Sequence, residues 1–146
     1  MMYFDDFPVG YQFETASKDL PLDDIMRFAR EWDPQPFHID PEAAAESVFG
    51  GIIASGFHTL LIGFLLSYQT GLWADASMGS PGMDNIRWMH PVRPGDSLKL
   101  VAEVLASNPS KSRADRGRIT VRNQVFNQDD VCVAEYTGVH ILKRRV

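Results

Sequence analysis

The run from Phe57 to Tyr68 constrains this chain most, because Phe57, Leu60, Leu61, Ile62, Phe64, Leu65, Leu66 and Tyr68 leave it almost no polar face. At 3.6 residues per turn these positions encircle a helix, and a helix that is apolar all round is normally buried on all sides. At about 14 residues it falls short of the ~20 needed to span a bilayer. His58, Ser67 and Gln69 also interrupt it. The pattern therefore predicts a helix swallowed by the rest of the protein, and no membrane.

The rest of the chain supplies a wrapping. From Met83 onward the period changes to alternation. Ile86 and Trp88 flank Arg87; Leu98, Leu100, Ala102 and Val104 alternate with Lys99, Val101 and Glu103; Ile119, Val121, Asn123 and Val125 alternate with Thr120, Arg122 and Gln124. These are three strands. Asn127 to Asp130 reads as a turn, and Val131 to Leu142 as the fourth and longest strand, closing a hairpin. Pro91 to Asp96, preceded by His90, is a tight connection between the first two.

Upstream, Tyr11 to Ala16 reads as a short strand. Ile25, Phe28, Ala29 and Trp32 then recur at i, i+3, i+4 and i+7, one face of a helix, with Asp23 and Asp24 favouring its N-terminal end. Pro34 disfavours the α conformation at Asp33 and ends that helix, and Pro36 removes another donor, so Asp33 to Asp40 is expected to be an irregular loop. Asp40-Pro41 restarts a short helix, with Asp as N-cap and Pro at the first helical position.

No repeat, low-complexity tract or linker divides the chain. Its 146 residues suit one α+β domain, 1–146, an antiparallel sheet wrapped around a central buried helix. A chain of that size buries roughly two-thirds of its unfolded surface, enough for a core without staples. A sheet wrapping one helix leaves an edge strand and an uncovered end. Pairing two sheets about a twofold axis solves both, so a homodimer or higher homo-oligomer is expected.

The formal charge of −5 argues against a nucleic-acid binder, which would present a basic face. Lys111, Arg113, Arg116 and Arg118 are a local exception, either a solvated loop or a site for one small anion. The single Cys132 can form no intrachain disulfide, lacks metal-ligand companions, and reads as a buried strand residue. The opening MMYFDDFPVG has no basic stretch followed by an apolar run, which points to an unexported, cytoplasmic protein.

Asp33-Pro34-Gln35-Pro36-Phe37-His38 sets a carboxylate and an imidazole five residues apart on a backbone stiffened by two prolines. Histidine titrates near neutral pH, so the pair suits acid/base work. A turn-capping Asp beside a surface His would give the same string. The whole chain, however, resembles the MaoC-like dehydratases, relatives of the R-specific enoyl-CoA hydratases. The resemblance runs from Phe4-Asp5-Asp6-Phe7 to the last strand. It is carried by Asp33, Pro36 and His38 as D-x-x-P-x-H, by Asp40-Pro41 and Ala44, and by Phe49-Gly50-Gly51. Ile53-Ala54-Ser55-Gly56 and Pro91-Val92-Arg93-Pro94-Gly95-Asp96 complete it. Their order and spacing together are specific.

The resemblance implies a hot-dog fold and reversible, R-specific addition of water to a 2-enoyl thioester on coenzyme A or an acyl carrier, as in fatty-acid metabolism. It makes Asp33 and His38 the catalytic pair and puts an oxyanion donor at Ser55-Gly56, where the helix N-terminus would meet the thioester oxygen. Many relatives carry His where this chain has Ser55. No cofactor or metal is implied beyond the thioester substrate. Lys111, Arg113 and Arg116 are expected to meet coenzyme A phosphates, and the apolar loop from Gly71 to Met83 to line or cover an acyl tunnel. His58 is expected to be a satisfied core histidine, and His90 a turn residue. A thioesterase on the same fold, or a non-catalytic acyl-thioester binder, is the alternative; the presence of both Asp33 and His38 favours the hydratase/dehydratase.

Overall fold

In the computed structural model, which describes residues 1–145, the alternating segments become the long strands of one antiparallel sheet. In chain order the elements are β1 (Gln12–Glu14), β2 (Lys18–Leu20), α1 (Leu22–Trp32), α2 (Pro36–Ile39), α3 (Pro41–Glu46) and α4 (Gly56–Gln69). β3 (Met83–Trp88), β4 (Asp96–Pro109), β5 (Arg116–Phe126) and β6 (Cys132–Lys143) follow. The sheet runs β1-β4-β5-β6-β3, and β2 pairs with the far part of β4. This is the α+β hot-dog arrangement.

Period-2 alternation places Leu98, Leu100, Ala102 and Val104 of β4 and Ile119, Val121 and Val125 of β5 on the concave face, all buried. Burying each such large side chain contributes about 1.5–3 kcal/mol. α4 lies in that concavity. It comes closest at Gly63, where a Cβ would stand 3.1 Å from Val125 Cγ2 and 3.3 Å from Leu100 Cδ1.

Several expectations need correction. The first strand is shorter than expected, Gln12–Glu14, and a further short strand that was not expected, Lys18–Leu20, follows it. β4, with 14 residues, is longer than β6 with 12. β3 is not beside β4: it pairs with β6 at the other edge, so the His90 to Asp96 connection crosses the sheet rather than closing a hairpin. Asp33 to Asp40 is not wholly irregular, because Pro36 takes the first position of the single helical turn α2, where a missing N–H costs nothing. Cys132 is only half-buried at the start of β6.

The largest correction concerns α4. Its sheet-facing side is covered, yet Phe57 (60% exposed), Leu61 (53%), Phe64 (61%) and Tyr68 (56%) form an open apolar stripe along the opposite side. A single copy of the chain does not enclose the helix. Among the described residues, no helix is long and apolar enough to cross a membrane.

Asp40 caps α3 as expected, its Oδ1 accepting from the N–H groups of Glu42 (3.0 Å) and Ala43 (3.3 Å). Asp40→Ala should therefore lower the unfolding free energy by about 1 kcal/mol in urea titration. An unchanged midpoint would show that the cap contributes nothing.

Candidate active site

Asp33 sits where α1 stops. Its N–H still reaches the Ala29 carbonyl (2.8 Å), but its own φ of −155° is extended, as the following proline requires. That turn aims the carboxylate away from the helix and toward residues 53–56. Ser55 Oγ donates to Asp33 Oδ2 at 2.7 Å, and Gln35 Nε2 donates to Oδ1 at 2.7 Å. Burial alone would raise the Asp33 carboxyl, but the bonds from Ser55 and Gln35, with the nearby His38, outweigh it and hold the group below its ordinary value.

His38, on α2, is 3% exposed. Its Nδ1 lies 2.6 Å from the Ile53 carbonyl oxygen. A carbonyl only accepts, so Nδ1 carries a proton and Nε2 is the atom turned toward Asp33, 3.3 Å from Oδ2. An ionised carboxylate also only accepts. A proton on Nε2 as well would make this contact a hydrogen bond to the carboxylate.

Ser55 is the N-cap residue of α4, yet its side chain makes no capping bond, because it is given to Asp33. The first N–H groups of α4 therefore keep their donor capacity and the positive end of the helix dipole. They open on a cavity of about 460 Å³ whose lining includes Asp33, His38, Gly56, Phe57, Trp88 and His90. The structure thus brings Asp33, His38 and Gly56 together around one space, with Ser55 fully buried behind them. Among the described residues, no cluster of three His, Cys, Asp or Glu side chains stands as metal ligands would.

Residues 7–127 match the family model described as MaoC like domain. The chain belongs to the MaoC-like dehydratase family. It is 39% identical over 143 residues to the protein YdeM of Bacillus subtilis, covering 98% of this chain and 100% of that one. It is 30% identical over 120 residues to the 3-hydroxybutyryl-CoA dehydratase of Methylorubrum extorquens, covering 78% and 71%. The crystal structure of the MaoC-like dehydratase from Rhodospirillum rubrum superposes with a TM-score of 0.92 at 38% identity, covering 100% of this chain and 99% of that one.

In this MaoC-like chain, other residues singled out in the sequence lie elsewhere. Lys111, Arg113 and Arg116 line a separate cavity of about 420 Å³ at the β4–β5 hairpin. Asp33 and His38 lie instead by the end where β4 begins, since Val92 and Val133 share their cavity, so a 14-residue strand separates the two sites within one chain. Arg116 is also engaged by Asp115, Nε to Oδ1 at 2.9 Å. The Gly71 to Met83 loop does not line the cavity that holds Asp33 and His38. Its Trp73 is core, stacked on Phe7 (4.9 Å) and His140 (4.2 Å) and donating to Ser67 Oγ at 2.9 Å, beyond the far end of α4.

His58 is half-buried and stacks on Phe28 at 4.3 Å, but its Nδ1 is buried without a hydrogen-bond partner, so it is not satisfied. Burial lowers its pKa.

Sequence reasoning passed over Trp88 and His90. Trp88 fills the space beside Gly56, where a Cβ would fall 2.4 Å from indole Nε1. Gly56 is thus required by this packing. Alternation on β3 marked Trp88 only as a strand residue, and nothing local tied it to Gly56.

The depressed pKa of Asp33 has a sign that can be tested. Its ionised form contributes stability above the ordinary carboxylate range, and this is lost as pH falls through the lower folded value. Removing one of the donors should shrink the window. In Ser55→Ala the Asp33 carboxyl, followed by carbon-13 NMR, should titrate at higher pH than in the unmodified protein. An unchanged titration would deny the Ser55 bond that role.

Proposed function

We propose that the protein interconverts 2-enoyl and (R)-3-hydroxyacyl thioesters, with Asp33 and His38 sharing one water. The observation that carries this reading is the close contact of Asp33 and His38 at the mouth of the uncapped α4 N-terminus: Oδ2 to Nε2 at 3.3 Å, with Gly56 lining the same cavity. Hydration needs an acceptor for a water proton, a donor for Cα, and donors for the charge that grows on the thioester oxygen. Asp33 carboxylate, His38 imidazolium and the Gly56 N–H supply these three functions.

The step balances within the pair. As the water oxygen bonds to Cβ, its proton passes to Asp33, and the Cα=Cβ electrons take the Nε2 proton of His38 at Cα. Asp33 then returns its proton across the contact to Nε2. Dehydration is the same path reversed, so the pair serves either direction. The 3-hydroxybutyryl-CoA dehydratase named above, 30% identical, supports a coenzyme A thioester as substrate.

We also read the open apolar surface as a twofold interface with a second copy. Every residue of the edge strand β3 is exposed, and the α4 stripe joins it through the Phe57–Trp88 ring contact, centroids 5.8 Å apart. Asp84 and Arg87 give β3 one charge of each sign, which antiparallel pairing of two copies can set against each other. Such pairing reverses the second sheet and brings the partner subunit's Lys111, Arg113 and Arg116 to the end that holds Asp33. That supports a phosphate-binding role across the interface.

Incubation with a short 2-enoyl-CoA should remove the absorbance of the conjugated thioester without releasing free thiol. Asp33→Asn should slow this by about 10³-fold or more at a nearly unchanged melting temperature, since general acid–base groups contribute 10²–10⁴-fold. Thiol release would instead make the protein a thioesterase, and undiminished activity in Asp33→Asn would remove the pair from the mechanism. Light scattering should give an even multiple of the chain mass, and Phe64→Glu should reduce it. A monomer at micromolar concentration would refute the interface.

A further inference from the structure

A carbonyl or enolate oxygen has at least two lone pairs, so the single N–H of Gly56 leaves it room for a second donor. Few side chains lining the cavity of Asp33 and His38 can supply one. The Gln35 amide is given to Asp33 Oδ1 at 2.7 Å, and the His38 ring is engaged by the Ile53 carbonyl and by Asp33. Thr59 lies a full turn into α4, and His90 lies beyond the end of β3. Trp88 remains, and it packs on Gly56 itself. We propose that the Trp88 indole N–H is the second donor to the thioester oxygen, beside the Gly56 N–H, which makes Trp88 a catalytic residue. The proposal rests on the acyl-thioester reading above and adds a side chain to its charge-stabilising group.

The contact with Gly56 fixes how the indole lies. A Cβ on Gly56 would stand 2.4 Å from Nε1, 2.5 Å from Cε2 and 2.9 Å from Cδ1. Three adjacent ring atoms at such similar distances place the face of the five-membered ring, and not its N–H edge, on Gly56. The N–H bond lies in the ring plane, so it runs past Gly56 instead of into it. A ligand oxygen held at the first N–H of α4 is then within reach of both donors. The contrast with Trp73 is direct: its indole donates to Ser67 Oγ at 2.9 Å, whereas the Trp88 indole has no acceptor among the described residues.

Trp88 is also held in place before any ligand arrives. It is the last residue of β3, in register with Ala134 of β6. Immediately after it, the N–H groups of Met89 (2.9 Å) and His90 (3.3 Å) both donate to the Val133 carbonyl. The Phe57 ring meets the indole edge to face, centroids 5.8 Å apart at 70°. A donor fixed in this way costs no reorganisation as charge develops. Because the indole packs on α4, it lies on the helix side of β3. A second copy pairing along the backbone edge of that strand would leave it there and exclude water from it, which strengthens a hydrogen bond to a charged oxygen.

The test separates the N–H from the packing. Benzothienylalanine has the shape of tryptophan with sulfur in place of the N–H, so at position 88 it keeps the contacts with Gly56 and Phe57 and removes only the donor. Loss of one oxyanion donor costs about 10²–10³-fold in kcat. With 2-butenoyl-CoA, both Trp88→benzothienylalanine and Trp88→Phe should lower kcat and kcat/KM together by about 10²-fold, leaving KM nearly unchanged, as for an interaction made in the transition state. Full activity in the benzothienylalanine protein would overturn the proposal, whatever Trp88→Phe does.

Proton–nitrogen NMR reads the same bond without turnover. The chain has three tryptophans, and the Trp88 indole signal is the one that Trp88→Phe removes. Butyryl-CoA carries the thioester carbonyl but no double bond to hydrate, and it should move the Trp88 N–H proton downfield in the unmodified protein. S-butyl-CoA, which lacks the carbonyl, should not. No shift with butyryl-CoA, or an equal shift with both ligands, would overturn the proposal. A carbonyl-dependent shift in a protein that does not hydrate 2-butenoyl-CoA would contradict the hydratase reading and leave the Trp88 donor standing.

Discussion

The site depends on where one hydroxyl points. Ser55 precedes α4 and has the chemistry of a helix cap, but its Oγ is given to Asp33 Oδ2 at 2.7 Å, across 22 residues of chain. A hydrogen bond to a charged group contributes about 1.5–3 kcal/mol, enough to choose between these two partners. The choice has two consequences. The carboxylate is held ionised at a fixed place, and the first donors of α4 are left without a side-chain partner. The His38–Ile53 contact and the Ile53 N–H to Phe37 carbonyl bond tie the same two segments together, so the pair and the helix terminus move as one body. This is preorganisation in a literal sense: the groups that would meet developing charge are positioned before substrate arrives.

Much of this was legible in the sequence, for identifiable reasons. Period-2 alternation located β4 and β5 and predicted their buried faces residue by residue, because one face of each is against the core. Asp33 as the end of α1 and Asp40 as the cap of α3 followed from the restrictions of proline. The motif spacing indicated Asp33 and His38, but the partner that holds the carboxylate, Ser55, lies in another segment, and local reasoning had only the resemblance to place it.

What the sequence misled about has a common cause. Apolar residues at Phe57, Leu61, Phe64 and Tyr68 predicted burial, and a single chain leaves them exposed. Hydrophobicity reports that a face is covered, not by what. The same limit applies to the basic residues at the β4–β5 hairpin, whose charge suggested phosphate but whose position within one chain is remote from Asp33. The twofold assembly proposed through β3 would reconcile both observations, by covering the stripe and exchanging the ends of the hairpins. Trp73 erred in the other direction: a loop that looked like a lid is instead pinned into the core by stacking on Phe7 and His140.

The most direct test of the central claim follows the atoms of water. A 2-enoyl-CoA turned over in ¹⁸O-labelled heavy water should give a 3-hydroxyacyl-CoA with the label on C3 and one deuterium on C2, the thioester intact. Label appearing instead in a free carboxylate, with loss of coenzyme A, would contradict the account, because water would then have attacked the carbonyl and not the double bond held between Asp33 and His38.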